Sequence, residues 1–168
     1  VTSIEIHESS QSGWIAVIHS GGLAIAETSV DGSVVGDFQQ LVNSTVSMMT
    51  RLADASGTTR LAFLTSSDIL SVLKISDSGD LVTSWNASQV VQNLLLGTDI
   101  SSMEYSPIDG DAGRFWIGLD SGLLSINSND LLDSAPLIEW HLGPFSDPSL
   151  ETPVTSLVAD PDNQGWVM

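Results

Sequence analysis

Cysteine is absent from this chain of 168 residues, and basic residues are scarce. Without cysteine there can be no disulfide, no thiolate ligand for a metal and no cysteine nucleophile. Only 4 Lys and Arg residues stand against 21 Asp and Glu residues, so the formal net charge is −17. The cations, Arg51, Arg60, Lys74 and Arg114, are scattered singly, which excludes the clustered positive charge that nucleic acids require. An anionic membrane surface is disfavoured for the same reason.

Long apolar runs are also missing. No stretch approaches the roughly 20 apolar residues of a membrane-spanning helix, and Val1 leads into strand-like sequence without a basic leader segment. We therefore expect any signal or anchor to lie outside this chain. Two glycosylation patterns, at residues 43–45 and 86–88, favour an extracellular or periplasmic location. The acidity fits solubility or a saline habitat, with a basic partner or a divalent cation as alternatives.

What the chain does contain is a repeat. A short apolar motif occurs as VTSI, VSMM, ISSM and VTSL, starting at residues 1, 46, 100 and 154. In the first three cases a second apolar run, a short turn, a third run and a late aromatic residue follow in that order. In the first unit these features are WIAVI, SGGLAIAE and Phe38. In the second unit they are LAFL, SDILSVLKI and Trp85, and in the third they are WIGL, SGLLSIN and Trp140. The spacing predicts repeat units over residues 1–45, 46–99 and 100–153, and a truncated unit over 154–168.

The length of these units predicts an all-β fold built from antiparallel four-stranded blades of a β-propeller. Units of about 40 to 50 residues with four short strands are typical of that architecture. Residues 14–19 are apolar on both faces of the expected strand, as in a sheet covered on both sides. Residues 87–96 are the exception, since their spacing predicts a short helix between two units. About three blades and the start of a fourth are fewer than a closed ring needs, so we expect the remaining blades in a longer protein or in another copy.

The third and fourth units carry a family resemblance. RFWIGLDSGLLSIN at 114–127 and ETPVTSLVADPDNQGWVM at 151–168 resemble the repeats of two-component-regulator propellers, in which a strand like VTSL leads into a Trp-Ile-Gly strand and a Gly-Gly-Leu hairpin. The first unit keeps Trp14 and the Gly-Gly-Leu of 21–23. The second unit has Leu61 in place of tryptophan and Asp68-Ile69 where glycine is expected. The resemblance implies an extracytoplasmic sensory or ligand-binding propeller, often placed ahead of a membrane segment and signalling domains.

One turn is similar to the start of a calcium loop. Asp160, Asp162 and Asn163 offer oxygen ligands before a glycine at the sixth position, Gly165, but the sequence ends before the glutamate of position twelve. The same residue types form ordinary strand-to-strand turns. The three residues are therefore weak candidate metal ligands, calcium is the one metal considered, and no other cofactor is expected.

No catalytic set follows from the spacing of residues. The chain has no Gly-x-Ser-x-Gly elbow, and its histidines, His7, His19 and His141, lie at unrelated points of the repeat. Trp14, Trp116 and Trp166 recur at the head of the second run, which favours packing between blades over a ligand-stacking array.

The sequence therefore predicts a non-catalytic binding module, a sensory or interaction domain that contacts a protein, small-molecule or carbohydrate ligand through its inter-strand loops. The alternative from another class is a propeller enzyme, a lyase or a glycoside-cleaving protein, with carboxylates from several blades meeting at the axis. A third interpretation is a purely structural cell-surface array.

Overall fold

The computed structural model describes residues 1–8, 12–53, 59–108, 111–142 and 153–158. In these residues twelve strands form three four-stranded sheets, and each sheet runs through consecutive strands in chain order. The first sheet contains β1 (Ser3–Glu8), β2 (Gly13–His19), β3 (Gly22–Thr28) and β4 (Val34–Val42). The second contains β5 (Val46–Ala53), β6 (Thr59–Thr65), β7 (Leu70–Ile75) and β8 (Leu81–Asn86). The third contains β9 (Ile100–Ile108), β10 (Asp111–Leu119), β11 (Gly122–Asn127) and β12 (Ile138–Leu142).

The chain divides into two compact units. The first unit, Val1–Arg51 with Thr59–Asn86, holds the first sheet and nearly all of the second. The second unit holds the end of β5 and the described residues from Ala87 onward, including the third sheet. None of the helices in the described part of the chain is long and apolar enough to cross a membrane.

The first unit has its core between its two sheets. The register places Ile18 opposite Leu23 and Ala16 opposite Ile25, so all four side chains lie on one face of the first sheet. They pack in one buried cluster with apolar residues of the second sheet, among them Leu61, Phe63, Leu73 and Ile75. Burial of each large side chain contributes about 1.5–3 kcal/mol, which explains why the strands of this unit carry apolar residues where the two sheets meet.

The third sheet has two unlike faces. One face is apolar and buried, and its members are Met103, Phe115, Ile117, Leu119, Leu124 and Ile126. The register places Glu104 and Ser125 on either side of Trp116, with Glu139 beyond Ser125, so the opposite face is largely polar.

A short helix lies between β8 and β9, as the sequence predicts. It spans Gln89–Leu95 and buries Val91 and Leu95, which are four residues apart and therefore share one side of the helix. The Ser88 side chain caps its start by accepting a hydrogen bond from the Val91 backbone N–H at 3.5 Å.

The turns between second and third strands explain the glycine pattern. Gly22 has a φ of 125°, and a Cβ there would lie 2.0 Å from the Val42 carbonyl oxygen, so no other residue fits. Gly122 holds the corresponding place in the third sheet with a φ of 146°. In the second sheet the turn is longer, and Asp68 adopts the positive φ of 58°, a conformation that Asp tolerates better than most residues.

The fourth motif, VTSL at 154–157, is not part of a strand. The Val154 N–H donates to the Leu119 carbonyl at 3.0 Å, and the Ser101 hydroxyl donates to the Val154 carbonyl. This segment therefore lies beside the end of β10 in the second unit.

Candidate binding site

The predicted metal ligands Asp160, Asp162 and Asn163 lie outside the described residues, as does Trp166. The calcium interpretation therefore stays a prediction. Within the described ranges no three His, Asp or Glu side chains are grouped closely enough to hold a metal ion.

The two described tryptophans of the second strands are buried, with Trp14 0% and Trp116 5% exposed. The prediction that they pack in the core is confirmed, but the prediction that they occupy the same position of the repeat is wrong. Trp14 pairs with Glu27, whereas Trp116 pairs with Ser125, which is two residues nearer to the hairpin turn. Counted from the turn, the position of Trp116 corresponds to that of Ala16 in the first sheet, because β10 meets its hairpin sooner after the tryptophan than β2 does.

His7 and His19 have structural roles in the first unit. The His19 ring accepts a hydrogen bond from the Gly21 N–H at 3.1 Å and lies 3.0 Å from the Gln40 side-chain oxygen, so it holds the β2–β3 turn. His7 is 12% exposed and connects the two sheets, with its Nδ1 3.3 Å from the Thr59 hydroxyl. Its Nε2 lies 3.4 Å from the Asp77 carboxylate without an aligned hydrogen bond.

The polar face of the third sheet brings together four side chains that the sequence did not connect. We call Arg114, Ser125, Glu139 and His141 the third-sheet polar cluster. Arg114 forms an ion pair with Glu139 and donates to the Ser125 hydroxyl at 3.1 Å. The same hydroxyl lies 2.9 Å from Nε2 of His141, whose ring lies 4.7 Å from the ring of Trp116.

The geometry of this cluster is not that of a nucleophilic triad. In a triad the serine contacts Nε2 of the histidine and the carboxylate contacts Nδ1. Here Ser125 and Glu139 both face Nε2 of His141, and the Glu139 oxygen is 4.0 Å away. Ser125 is also fully buried, so a substrate could not reach its hydroxyl. The cluster is an ion-pair network across neighbouring strands.

The electrostatics of the polar face favour a neutral histidine. Burial lowers the pKa of His141, and the Arg114 charge lowers it further, while the Glu139 charge acts in the opposite direction. Burial raises the pKa of Glu104, which lies beside Trp116 on β9. Burial therefore disfavours the charged forms of His141 and Glu104.

The first unit contains two cavities beside its outermost strands, β4 and β8, and we treat them as the two halves of one groove because their lining residues adjoin along the chain. One half of the groove, which we call the apolar half, is lined mainly by apolar residues together with Ser71, Ser84 and Asn86. It has a volume of about 370 Å³, which falls at the lower end of the range of about 300–1,000 Å³ for ligand sites. Buried Phe63 and Leu73 line it from the second sheet, while Leu41 and Val42 line it from β4. Leu81 at the start of β8 is 43% exposed there.

The other half of the groove is acidic. Glu27, Asp37 and Asp80 line it together with Gln39, and it has a volume of about 170 Å³. The described residues that line this half include no Lys or Arg. Asp80 is held by its turn, because it accepts a hydrogen bond from the Ser78 hydroxyl at 2.9 Å. Its carboxylate is therefore positioned before any ligand arrives.

The two halves follow each other along both strands. On β4 the order is Asp37, Gln39, Leu41 and Val42, and on the other side Asp80 immediately precedes Leu81. The register of β4 against β3 shifts between Ile25 and Glu27. We call this groove the β4–β8 groove. It was not predicted from the sequence, which placed the binding contacts in the inter-strand loops.

Neither a protein-family model nor a curated protein matches the sequence. One similar solved structure is the crystal structure of BBS1N in complex with ARL6DN, soaked with mercury, with a TM-score of 0.56 and 16% sequence identity. The match covers 93% of this chain and 42% of that chain, so this chain spans less than half the length of its structural neighbour. At this identity the likeness shows the fold alone. The predicted fold class is confirmed: the chain consists of antiparallel four-stranded blades of an incomplete β-propeller.

Proposed function

We propose that the chain is part of a β-propeller that acts as a non-catalytic binding module for another protein. The observation that carries this proposal is the β4–β8 groove, which exposes apolar side chains beside a rim of polar ones. Such surfaces mark interaction sites. The third-sheet polar cluster supports the non-catalytic part, because its serine is buried and its carboxylate faces the wrong nitrogen of the histidine.

A protein is the partner class that the comparison favours, since BBS1N was crystallised in complex with ARL6DN. The proposal includes an extracytoplasmic location and a sensory role within a longer protein. Asn43, the acceptor of one glycosylation pattern, is exposed on the first unit, and this exposure is compatible with that location.

Site-specific photo-crosslinking tests the proposal. A benzophenone amino acid is placed at Leu81 in the groove of the full-length protein in its own cells, and in a matched variant at Val30, which is 74% exposed in the β3–β4 turn. We expect discrete protein adducts from position 81 and not from position 30. Identical patterns at both positions would contradict a binding role for the groove. Turnover of a small substrate that is abolished by the change of one loop carboxylate, in a variant that stays folded, would show an enzyme instead.

A further inference from the structure

Resting on the proposed function, we infer that the β4–β8 groove binds an extended segment of a partner protein in which apolar side chains adjoin Lys or Arg side chains. The inference depends on two properties of the groove that lie in series along the same two strands. One half offers apolar contact and the other offers carboxylates.

The apolar half selects for apolar side chains. Its floor is formed by Phe63 and Leu73, which are 5% and 3% exposed, and its open side by Leu41 and Leu81. Contact with this surface removes apolar area of both partners from water, which favours binding. The hydroxyl of Ser71 is already bonded to the Asn86 side-chain oxygen at 2.9 Å, so it does not require a polar ligand.

The acidic half selects for positive charge. Three carboxylates, Glu27, Asp37 and Asp80, line it, and the whole chain carries a formal charge of −17. A cationic side chain placed among them gains attraction that no Lys or Arg from the described lining residues supplies. A second copy of this chain is a poor occupant, because it brings the same large negative charge to the contact.

The length of the groove sets the length of the segment. β8 runs from Leu81 to Asn86 along the apolar half, and six residues of strand cover about 17 Å. An extended segment of five or six residues therefore spans the apolar half, and a further one or two residues reach Asp80 and Asp37.

Designed peptides test this specificity. The probe is an eight-residue peptide with leucines at alternate positions and two lysines at one end, made with the lysines at either terminus. Versions with glutamate or glutamine in place of lysine are the controls, and fluorescence anisotropy measures binding to the full-length protein. We expect the lysine peptide to bind at least about tenfold more tightly than the glutamate peptide, and this preference to shrink as salt is raised.

Matched variants separate the two halves. Asp37→Asn and Asp80→Asn should each weaken lysine-peptide binding by about two- to fivefold and leave the glutamine peptide unaffected. Asp99→Asn, the same change at an exposed position outside the groove, should have no effect. Leu81→Ser should weaken all three peptides by about fivefold or more, whereas Val82→Ser, at a neighbouring exposed position that does not line the groove, should not.

Equal affinity for the lysine and glutamate peptides, or tighter binding of the glutamate peptide, would overturn the inference. Different results would contradict the specificity and the proposed function. If photo-crosslinking at Leu81 captures a protein whose contacting segment is acidic or wholly polar, the binding role stands and the specificity is wrong. If neither adducts nor peptide binding are observed, both are wrong.

Discussion

Replacing Ser125 with alanine tests whether the third-sheet polar cluster stabilises the fold. The Ser125 hydroxyl is fully buried, accepts a hydrogen bond from Arg114 and contacts His141. A hydrogen bond to a charged group contributes about 1.5–3 kcal/mol and a neutral one about 0.5–1.5 kcal/mol. Because the Arg114 and His141 side chains are 32% and 36% exposed, water can replace part of the loss. We therefore take the lower values and expect Ser125→Ala to reduce the free energy of unfolding by about 2 kcal/mol.

Urea denaturation followed by tryptophan fluorescence measures this change. The matched control is Ser71→Ala in the first unit, where a buried hydroxyl donates one neutral hydrogen bond, to Asn86, and where we expect a loss of about 1 kcal/mol. If Ser125→Ala costs no more than Ser71→Ala, the network does not contribute as argued. The structural interpretation of the cluster would then be refuted.

Three further predictions concern titration. The Asp31 carboxyl should show a pKa of about 2 in NMR titrations, because its carboxylate accepts hydrogen bonds from Ser29 and Ser33. The order of its turn should persist above pH 3.8, the ordinary pKa of Asp, and be lost as pH falls through about 2. Ser33→Ala should raise the pKa of Asp31. His141 should titrate below 6.5, so that its contribution to stability is present above 6.5 and is lost as pH falls through the lowered pKa; a pKa at or above 6.5 would contradict the effect of burial. Glu104 has a raised pKa, so its contribution to stability is present below pH 4.5 and is lost as pH rises through the raised pKa. Glu104→Gln should therefore make the protein more stable at neutral pH and leave its stability unchanged well below pH 4.5, which denaturation at both pH values would check.

Much of the fold could be predicted from the sequence because the strands are short, apolar and separated by turns. The run WIAVI begins within β2, and SGLLSIN contains β11 entire. Aligning the sequences of the repeat units was less reliable for predicting the position of a residue within its blade. Aligning Trp14 with Trp116 placed them at the same point of the repeat, while the hairpin register separates them by two residues. Register depends on where the turn closes, and a two-residue shift keeps a side chain on the same face, so the periodicity of the sequence cannot reveal it.

The candidate sites were less accessible to sequence reasoning. Arg114 and Glu139 lie on strands that do not adjoin each other, with β11 between them, and they meet because Ser125 is small enough to let both side chains pass over it. The β4–β8 groove arises from two sheets of the first unit, and its residues are far apart in the chain. The signal that was present is apolar sequence on the outermost strands, such as Leu81, which is 43% exposed and lines the groove. Apolar side chains on a strand that packs against no other surface would not stabilise the fold.

The distribution of the few cations explains why the acidic half of the groove stays uncompensated. Arg114 is committed to Glu139, and the Arg60 guanidinium lies 5.9 Å from the centre of the Trp85 ring, which is a cation–π contact. Arg51 lies 3.5 Å from Nδ1 of His7. Three of the 4 basic residues thus serve contacts within the described fold, and none of them lines the acidic half of the groove. Other acidic turns of the described surface also attract positive charge, so a basic segment that reaches this surface needs the adjoining apolar half to distinguish the groove from them.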